Sequence, residues 1–191
     1  MRSNSCESVF FCGPHCSGKT SILRALEHEG VLAQWEPEIG KELFYQRKFA
    51  TEQQGIAFEL EVTERELARD AICMVRKGLI GIETWHPGNL AYAAVRNPDA
   101  VEILVKRMKT SPLLSDVYGI RFSVSWDTIF RRTSTFRGDR EWAADFYSKI
   151  EGKLDMCLHR LGLESRVRWI DANQDFDAVL RQVRRALADY Y

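Results

Sequence analysis

Ser8-Val9-Phe10-Phe11-Cys12-Gly13-Pro14-His15-Cys16-Ser17-Gly18-Lys19-Thr20 is the stretch from which the fold is read. Its first part, Val9 to Cys12, is a short apolar run of the length of a buried strand. Its second part has the spacing G-x-x-x-x-G-K-T, that of a phosphate-binding loop. The chemistry requires this spacing. Gly13 and Gly18 let the backbone wrap closely round an anion, with Ser17 in the same turn and the N–H groups pointing inward. Lys19 brings a positive charge to the β- and γ-phosphates of a nucleotide such as ATP, and the Thr20 hydroxyl reaches a Mg²⁺. The loop runs into Ser21 to Glu27, a good helical sequence, so the anion would face a helix N-terminus. Strand before and helix after separate this loop from an ordinary glycine-rich turn. Cys12, His15 and Cys16 are spaced closely enough to suggest zinc, but the phosphate loop already accounts for where they stand.

Outward from the loop, short apolar runs alternate with helical stretches. Gly30 ends the first helix, and Val31 to Trp35 reads as a second strand running into Glu36-Pro37-Glu38. Proline blocks further regular pairing, so these carboxylates stand at a strand's C-terminal end, the edge where open α/β sheets bind ligands. Lys41 to Arg76 reads as two helices broken near Gln54-Gly55, with Arg65 and Arg69 on one face at i, i+4. Leu79 to Ile82 is an apolar run of buried-strand type, tipped by Glu83. A phosphate-loop enzyme needs such an acid to hold Mg²⁺, which makes Thr20 and Glu83 the metal candidates. His86 either contacts a substrate or caps the helix that follows. Tyr118 to Trp126 suggests a fourth strand, Val167 to Ile170 a fifth, and 141–161 and 175–188 two more helices. Arg131, Arg132, Arg137 and Arg140 lie within ten residues around Gly138; beside a triphosphate, such a segment could close as a lid, neutralise charge and exclude water.

The chain's 191 residues suggest one domain spanning 1–191. Basic and acidic side chains balance at 27 each, which gives no argument for a nucleic-acid or anionic-membrane surface. The five cysteines are odd in number and form no disulfide framework, and a reducing, cytoplasmic setting is expected. No run approaches the roughly 18 apolar residues of a membrane span.

Strand–helix alternation implies a three-layer α/β fold: a parallel sheet of five strands with helices on both faces and right-handed crossovers. In this order of features the chain resembles the P-loop nucleoside and nucleotide kinases, particularly the thymidylate kinase and deoxynucleoside kinase branch. GPHCSGKT resembles its loop, Glu36-Pro37 its Glu-Pro element, Glu83 its strand-end acid, residues 131–140 its lid, and Ile170-Asp171-Ala172-Asn173 its adenine-pocket segment. The resemblance implies a P-loop NTPase fold with an arginine-rich lid, ATP and Mg²⁺ as cofactors, and a small phosphoryl acceptor such as a nucleoside or nucleoside monophosphate. It implies that Gly13, Ser17, Gly18, Lys19, Thr20, Arg132, Asp171 and Asn173 hold ATP. Glu36 would serve an acceptor hydroxyl as base, and Lys19, Arg137 and Arg140 would act on the transferring phosphoryl. A homodimer is compatible with it. One departure is plain. The family places an arginine directly after the strand-end acid, to orient the acceptor; here Glu83 is followed by Thr84-Trp85-His86. Trp35, Tyr45, Phe58, Trp85 and His86 are either base-stacking residues or core. Two other readings remain at this point: a regulatory NTPase with no small acceptor, and a kinase of a non-nucleoside metabolite. The chain has no Asn-Lys-x-Asp guanine motif, and its Asp-x-x-Gly at Asp116 to Gly119 precedes a strand instead of following one.

Overall fold

A computed structural model describes residues 7–47, 55–133 and 139–190. Five strands form one sheet in which every pairing is parallel: β1 (Glu7–Cys12), β2 (Gln34–Glu36), β3 (Leu79–Glu83), β4 (Tyr118–Ser123) and β5 (Val167–Asp171), in the order β2-β3-β1-β4-β5. β1 is central and entirely apolar from Val9 to Cys12, with each of those side chains fully buried. That is the composition of a strand covered on both faces. The period of two sends Val9 and Phe11 into one core and Phe10 and Cys12 into the other.

The first core is closed by α1 (Lys19–His28) and α9 (Phe176–Ala188), through Ile22, Leu23, Leu26, Val179, Leu180 and Val183. The opposite core is closed by α4 (Trp85–Arg96), α5 (Val101–Met108) and α8 (Leu154–Leu161). α2 (Ile39–Arg47) and α3 (Ile56–Cys73) pack on each other through Leu43, Phe58 and Val62. α6 (Trp126–Arg132) and α7 (Arg140–Glu151) pack together beside the strand ends.

Three element boundaries differ from the sequence expectation for identifiable reasons; β4, expected to reach Trp126, ends at Ser123 because Ser125 caps α6, its side chain accepting from Thr128 N. β2 begins at Gln34, not Val31, because α1 ends in a Schellman closure. There the N–H groups of Gly30 and Val31 bond to Glu27 O and Leu26 O, and Gly30 takes φ +72°. The single helix expected over 141–161 is two, divided at Gly152-Lys153. α8 begins at Leu154, so Leu154, Cys157, Leu158 and Leu161 all reach the core.

Phe10 lies across Gly119 of β4, its register partner. A Cβ there would clash with the ring. Gly119→Ala should therefore lower unfolding free energy by about 1–3 kcal/mol, read from denaturant midpoints; an unchanged midpoint contradicts this packing.

Candidate active site

The register of β1 and β3 sets Phe11 opposite Glu83, so the loop after β1 and the acid at the tip of β3 share one sheet edge. Gly18 caps α1 with φ +91°, and Cys16 before it stands at φ +65°. A side chain at Gly13 would meet Ser17 Oγ at 2.9 Å and Phe122 O at 3.1 Å, so the loop closes only over glycine. Lys19 is buried and its ammonium donates to Gly13 O (2.8 Å) and Pro14 O (3.0 Å). Thr20 Oγ1 donates to Glu83 Oε1 at 2.5 Å. Thr20 and Glu83, the expected metal pair, are thus in contact. Mg²⁺ is commonly held by one or two carboxylates and substrate phosphates instead of a closed protein cage, so this hydroxyl–carboxylate pair beside a phosphate loop fits it.

Three depressions surround the loop. One lies over it, walled by Lys19, Thr20, Glu83, Glu38, His15 and Lys41. A second flanks its outer side, between Cys16, Ser17, Ile22, Arg132, Gln174 and Phe176. Arg132 donates to Cys16 O (3.1 Å) and Gln174 O (3.1 Å), joining the end of α6 to the loop. The third is rich in aromatic side chains: Phe44, Tyr45, Tyr92, Phe146 and Tyr147, with Asn89 and Arg96. His15, Glu38 and Lys41 line both the first and the third, so the two meet there.

Several expected site residues are placed elsewhere. Glu36 lines none of the three. Its carboxylate accepts from Gln34 Nε2 (2.7 Å) and pairs with Arg76. The turn after Pro37 brings Glu38 to the site instead, where Thr84 Oγ1 donates to it at 2.9 Å. Asp171 accepts from Asn173 N (3.0 Å), Asn173 Nδ2 (2.7 Å) and Gln174 Nε2 (3.1 Å), which hold its carboxyl below the usual range. Asn173 Oδ1 accepts from Ser125 N. These two shape the turn into α9, while Gln174 and Phe176 line the depression. Arg140 donates to Phe130 O (2.9 Å) and lies 4.4 Å over the Phe130 ring, which fixes α7 on α6. Arg137 lies outside the described residues, as does the rest of 134–138, half of the expected lid. His86 neither meets the site nor caps a helix: it is fully buried, with Nε2 at 2.8 Å from Asp70. Trp85 and Phe58 are core, and of the proposed stacking residues Tyr45 lines the aromatic depression.

The segment that departs from the family pattern is built around strain. Thr84 and Trp85 have φ +69° and +49°, a region costly for a β-branched or bulky residue. It is over-determined by its surroundings. Thr84 N donates to Phe11 O (2.8 Å), and buried Asp70 accepts from Trp85 Nε1 (2.8 Å) and Ser111 Oγ (2.5 Å). Beside it, Glu66 accepts from Asn89 Nδ2 (2.8 Å) and pairs with Arg69, whose Nη1 donates to Pro37 O (2.7 Å). Two buried sets of bonds from α3 thus brace the site edge, one reaching Pro37 through Arg69 and the other reaching Trp85 through Asp70.

Burial first, then the charges of Lys19 and Lys41, pushes the His15 imidazole down to about 4 against an opposing pull from Glu83. The ring lies 5.1 Å from that of Tyr147, and His15 N donates to Tyr92 Oη (3.1 Å). Burial raises both phenols, so they stay protonated at neutral pH. Burial likewise raises the Cys16 thiol, which is not a thiolate there.

The sequence matches the AAA domain family AAA_28 over residues 8–159. No curated protein matches it by sequence. Among solved structures it is similar to a NadR protein in complex with NR, with TM-score 0.71 and 14% identity, covering 95% of this chain and 49% of that one. It is similar to deoxyadenosine kinase from M. mycoides with dCMP and dCDP bound, with TM-score 0.71 and 12% identity over 96% and 100% of the two chains. Thymidylate kinase from Candida albicans gives TM-score 0.71 and 13% identity over 98% and 93%. The chain spans about half the length of the NadR chain it matches. At these identities the likeness is one of fold, that of the P-loop nucleoside and nucleotide kinases. No helix among the described residues is long and apolar enough to cross a membrane.

A neutral His15 has a stability consequence. Below the ordinary imidazole value of 6.5 the unfolded chain binds a proton that the folded chain refuses until about 4. This residue's contribution therefore falls as pH drops through that window and is constant above it. His15→Asn should lose less stability than the wild type between pH 7 and pH 5, by thermal or urea unfolding; parallel losses contradict the buried neutral ring.

Proposed function

This chain belongs to the AAA domain family AAA_28, and from that footing we propose that it is an ATP- and Mg²⁺-dependent kinase of a nucleoside or similar small hydroxyl-bearing acceptor. The observation that carries this reading is the meeting of two depressions at Glu38. A regulatory NTPase needs the phosphate loop and its metal pair but has no use for an aromatic cavity opening onto them. A kinase needs both, because transfer requires the acceptor oxygen to lie in line with the γ-phosphorus.

In this mechanism the loop N–H groups and Lys19 hold the triphosphate. Thr20 and Glu83 would hold Mg²⁺, which when bound would supply positive charge beside the phosphates. The adenine would lie between Ile22, Arg132, Gln174 and Phe176. The aromatic faces of Phe44, Tyr45, Phe146 and Tyr147 suit a planar base, and the protonated phenols of Tyr92 and Tyr147 supply neutral hydrogen-bond groups. Glu38, oriented by Thr84, accepts the acceptor hydroxyl's proton as its oxygen attacks. A carboxylate at this point suits a neutral hydroxyl better than a phosphate monoester, whose negative charge it would repel.

The test is ADP formation with Mg-ATP across a panel of nucleosides and nucleoside monophosphates, with product identified. The wild type should show acceptor-dependent ADP formation and a phosphorylated nucleoside. Lys19→Ala should abolish it in a folded protein. Glu38→Gln should lower kcat by about 10²–10⁴-fold, whereas Glu36→Gln should leave kcat within about threefold. Slow, acceptor-independent hydrolysis alone would favour the regulatory NTPase.

A further inference from the structure

Phosphoryl transfer concentrates negative charge on the oxygens of the group in flight, and a positioned cation there acts directly on the barrier. The family pattern offers an arginine after the strand-end acid. This chain has Thr84, whose hydroxyl is given to Glu38. Three cations line the two depressions that meet at the proposed transfer point: Lys19, Lys41 and Arg96. Lys19 sits within the loop, its ammonium against Gly13 O and Pro14 O. Arg96 is fixed on Glu59 through Nε (2.9 Å) and Nη2 (3.0 Å), with its guanidinium over the rings of Tyr92 and Phe58. Lys41 is the cation common to both depressions, and no ion pair among the described residues holds it.

The local fold explains this placement. Lys41 is in the first turn of α2, which starts just after Glu38. Buried Leu43, with Ile39 beside it, packs on Phe58 and Val62, and Lys41 stands exposed on the site side of the helix. Gly40 before it lies beside Glu38 and Asn89 in the wall of the aromatic depression. The charge of Lys41 is felt across the gap at both His15 and Cys16 of the loop.

Resting on the kinase reading above, we infer that Lys41 is a catalytic residue, whose ammonium contacts a non-bridging oxygen of the γ-phosphoryl group as it passes to the acceptor. The bond from the acceptor oxygen to the γ-phosphorus forms while that from the γ-phosphorus to the β–γ bridging oxygen breaks. The bond's electrons leave with ADP, the hydroxyl proton goes to Glu38, and Lys41 keeps its own proton. Lys41 thus supplies from α2 the charge that the family pattern places after the third strand.

The test compares wild type, Lys41→Ala and Lys41→Arg in two measurements. In steady state with a nucleoside acceptor, Lys41→Ala should lower kcat about 10²–10³-fold, with the KM for ATP within about threefold. Lys41→Arg should recover part of the loss, and thermal midpoints should agree because the side chain is exposed. The second measurement needs no acceptor: binding of Mg-ADP with and without aluminium fluoride, a mimic of the planar phosphoryl group. Lys41→Ala should bind Mg-ADP like the wild type yet lose at least about tenfold of the tightening that aluminium fluoride gives. Equal behaviour of wild type and Lys41→Ala with aluminium fluoride overturns the inference, as does a change in KM for ATP with kcat unchanged. Absence of transfer to any acceptor by the wild type counts instead against the kinase reading, and the fluoride comparison still decides the place of Lys41.

Discussion

The parallel pairing of β1 with β3 is the constraint on which the site depends. It places Phe11 beside Glu83, so that the helix after one strand and the acid ending the other meet at Thr20 and Glu83. A shift of one residue in that register would turn Glu83 to the other face of the sheet. The register is secured from both sides, because each residue of Val9 to Cys12 fills one of two fully buried cores. The apolar run that reads as a strand is therefore also what aligns the chemistry.

Strain is concentrated just past this point. Holding Thr84 and Trp85 at positive φ costs on the order of 1–3 kcal/mol each. Burial of the whole Trp85 ring against Phe10 and the bond from its Nε1 to Asp70 oppose that cost. The result is a turn that presents the Thr84 hydroxyl to Glu38 and keeps bulky Trp85 in the core. The buried Asp70 and Glu66 carboxylates, which could be mistaken for a catalytic pair, have their oxygens committed to Trp85, His86, Ser111, Asn89 and Arg69. They hold α3 and α4 in fixed relation, and those helices form one wall of the aromatic depression.

The five strands, their parallel arrangement and the meeting of Thr20 with Glu83 were legible because they rest on local signals: an apolar run, a glycine spacing, an acid at a strand tip. What escaped depends on direction at a chain turn. Glu36 and Glu38 are equivalent in sequence, and only the path after Pro37 decides which one reaches the loop. Asp171 and Asn173 are polar residues at a strand end, as expected of a base pocket, yet they bond to one another and leave the wall to Gln174 and Phe176. Arg140 reads as a lid cation, but a guanidinium beside a half-buried aromatic ring finds a nearer partner in Phe130. Lys41, Tyr92, Phe146 and Tyr147 come from three separate helices, and no spacing in the sequence announces their convergence.

The central claim is that a nucleotide site and an acceptor site meet at Glu38 and act on one phosphoryl group. Affinity for a bisubstrate analogue, adenosine joined through a polyphosphate chain to a nucleoside, tests it most directly. If the two sites meet as described, joining the ligands makes the second contact intramolecular, and the analogue should bind at least about 100-fold more tightly than ATP. Affinity no better than that of ATP, across analogues whose linkers differ by one phosphate, would contradict a shared transfer point.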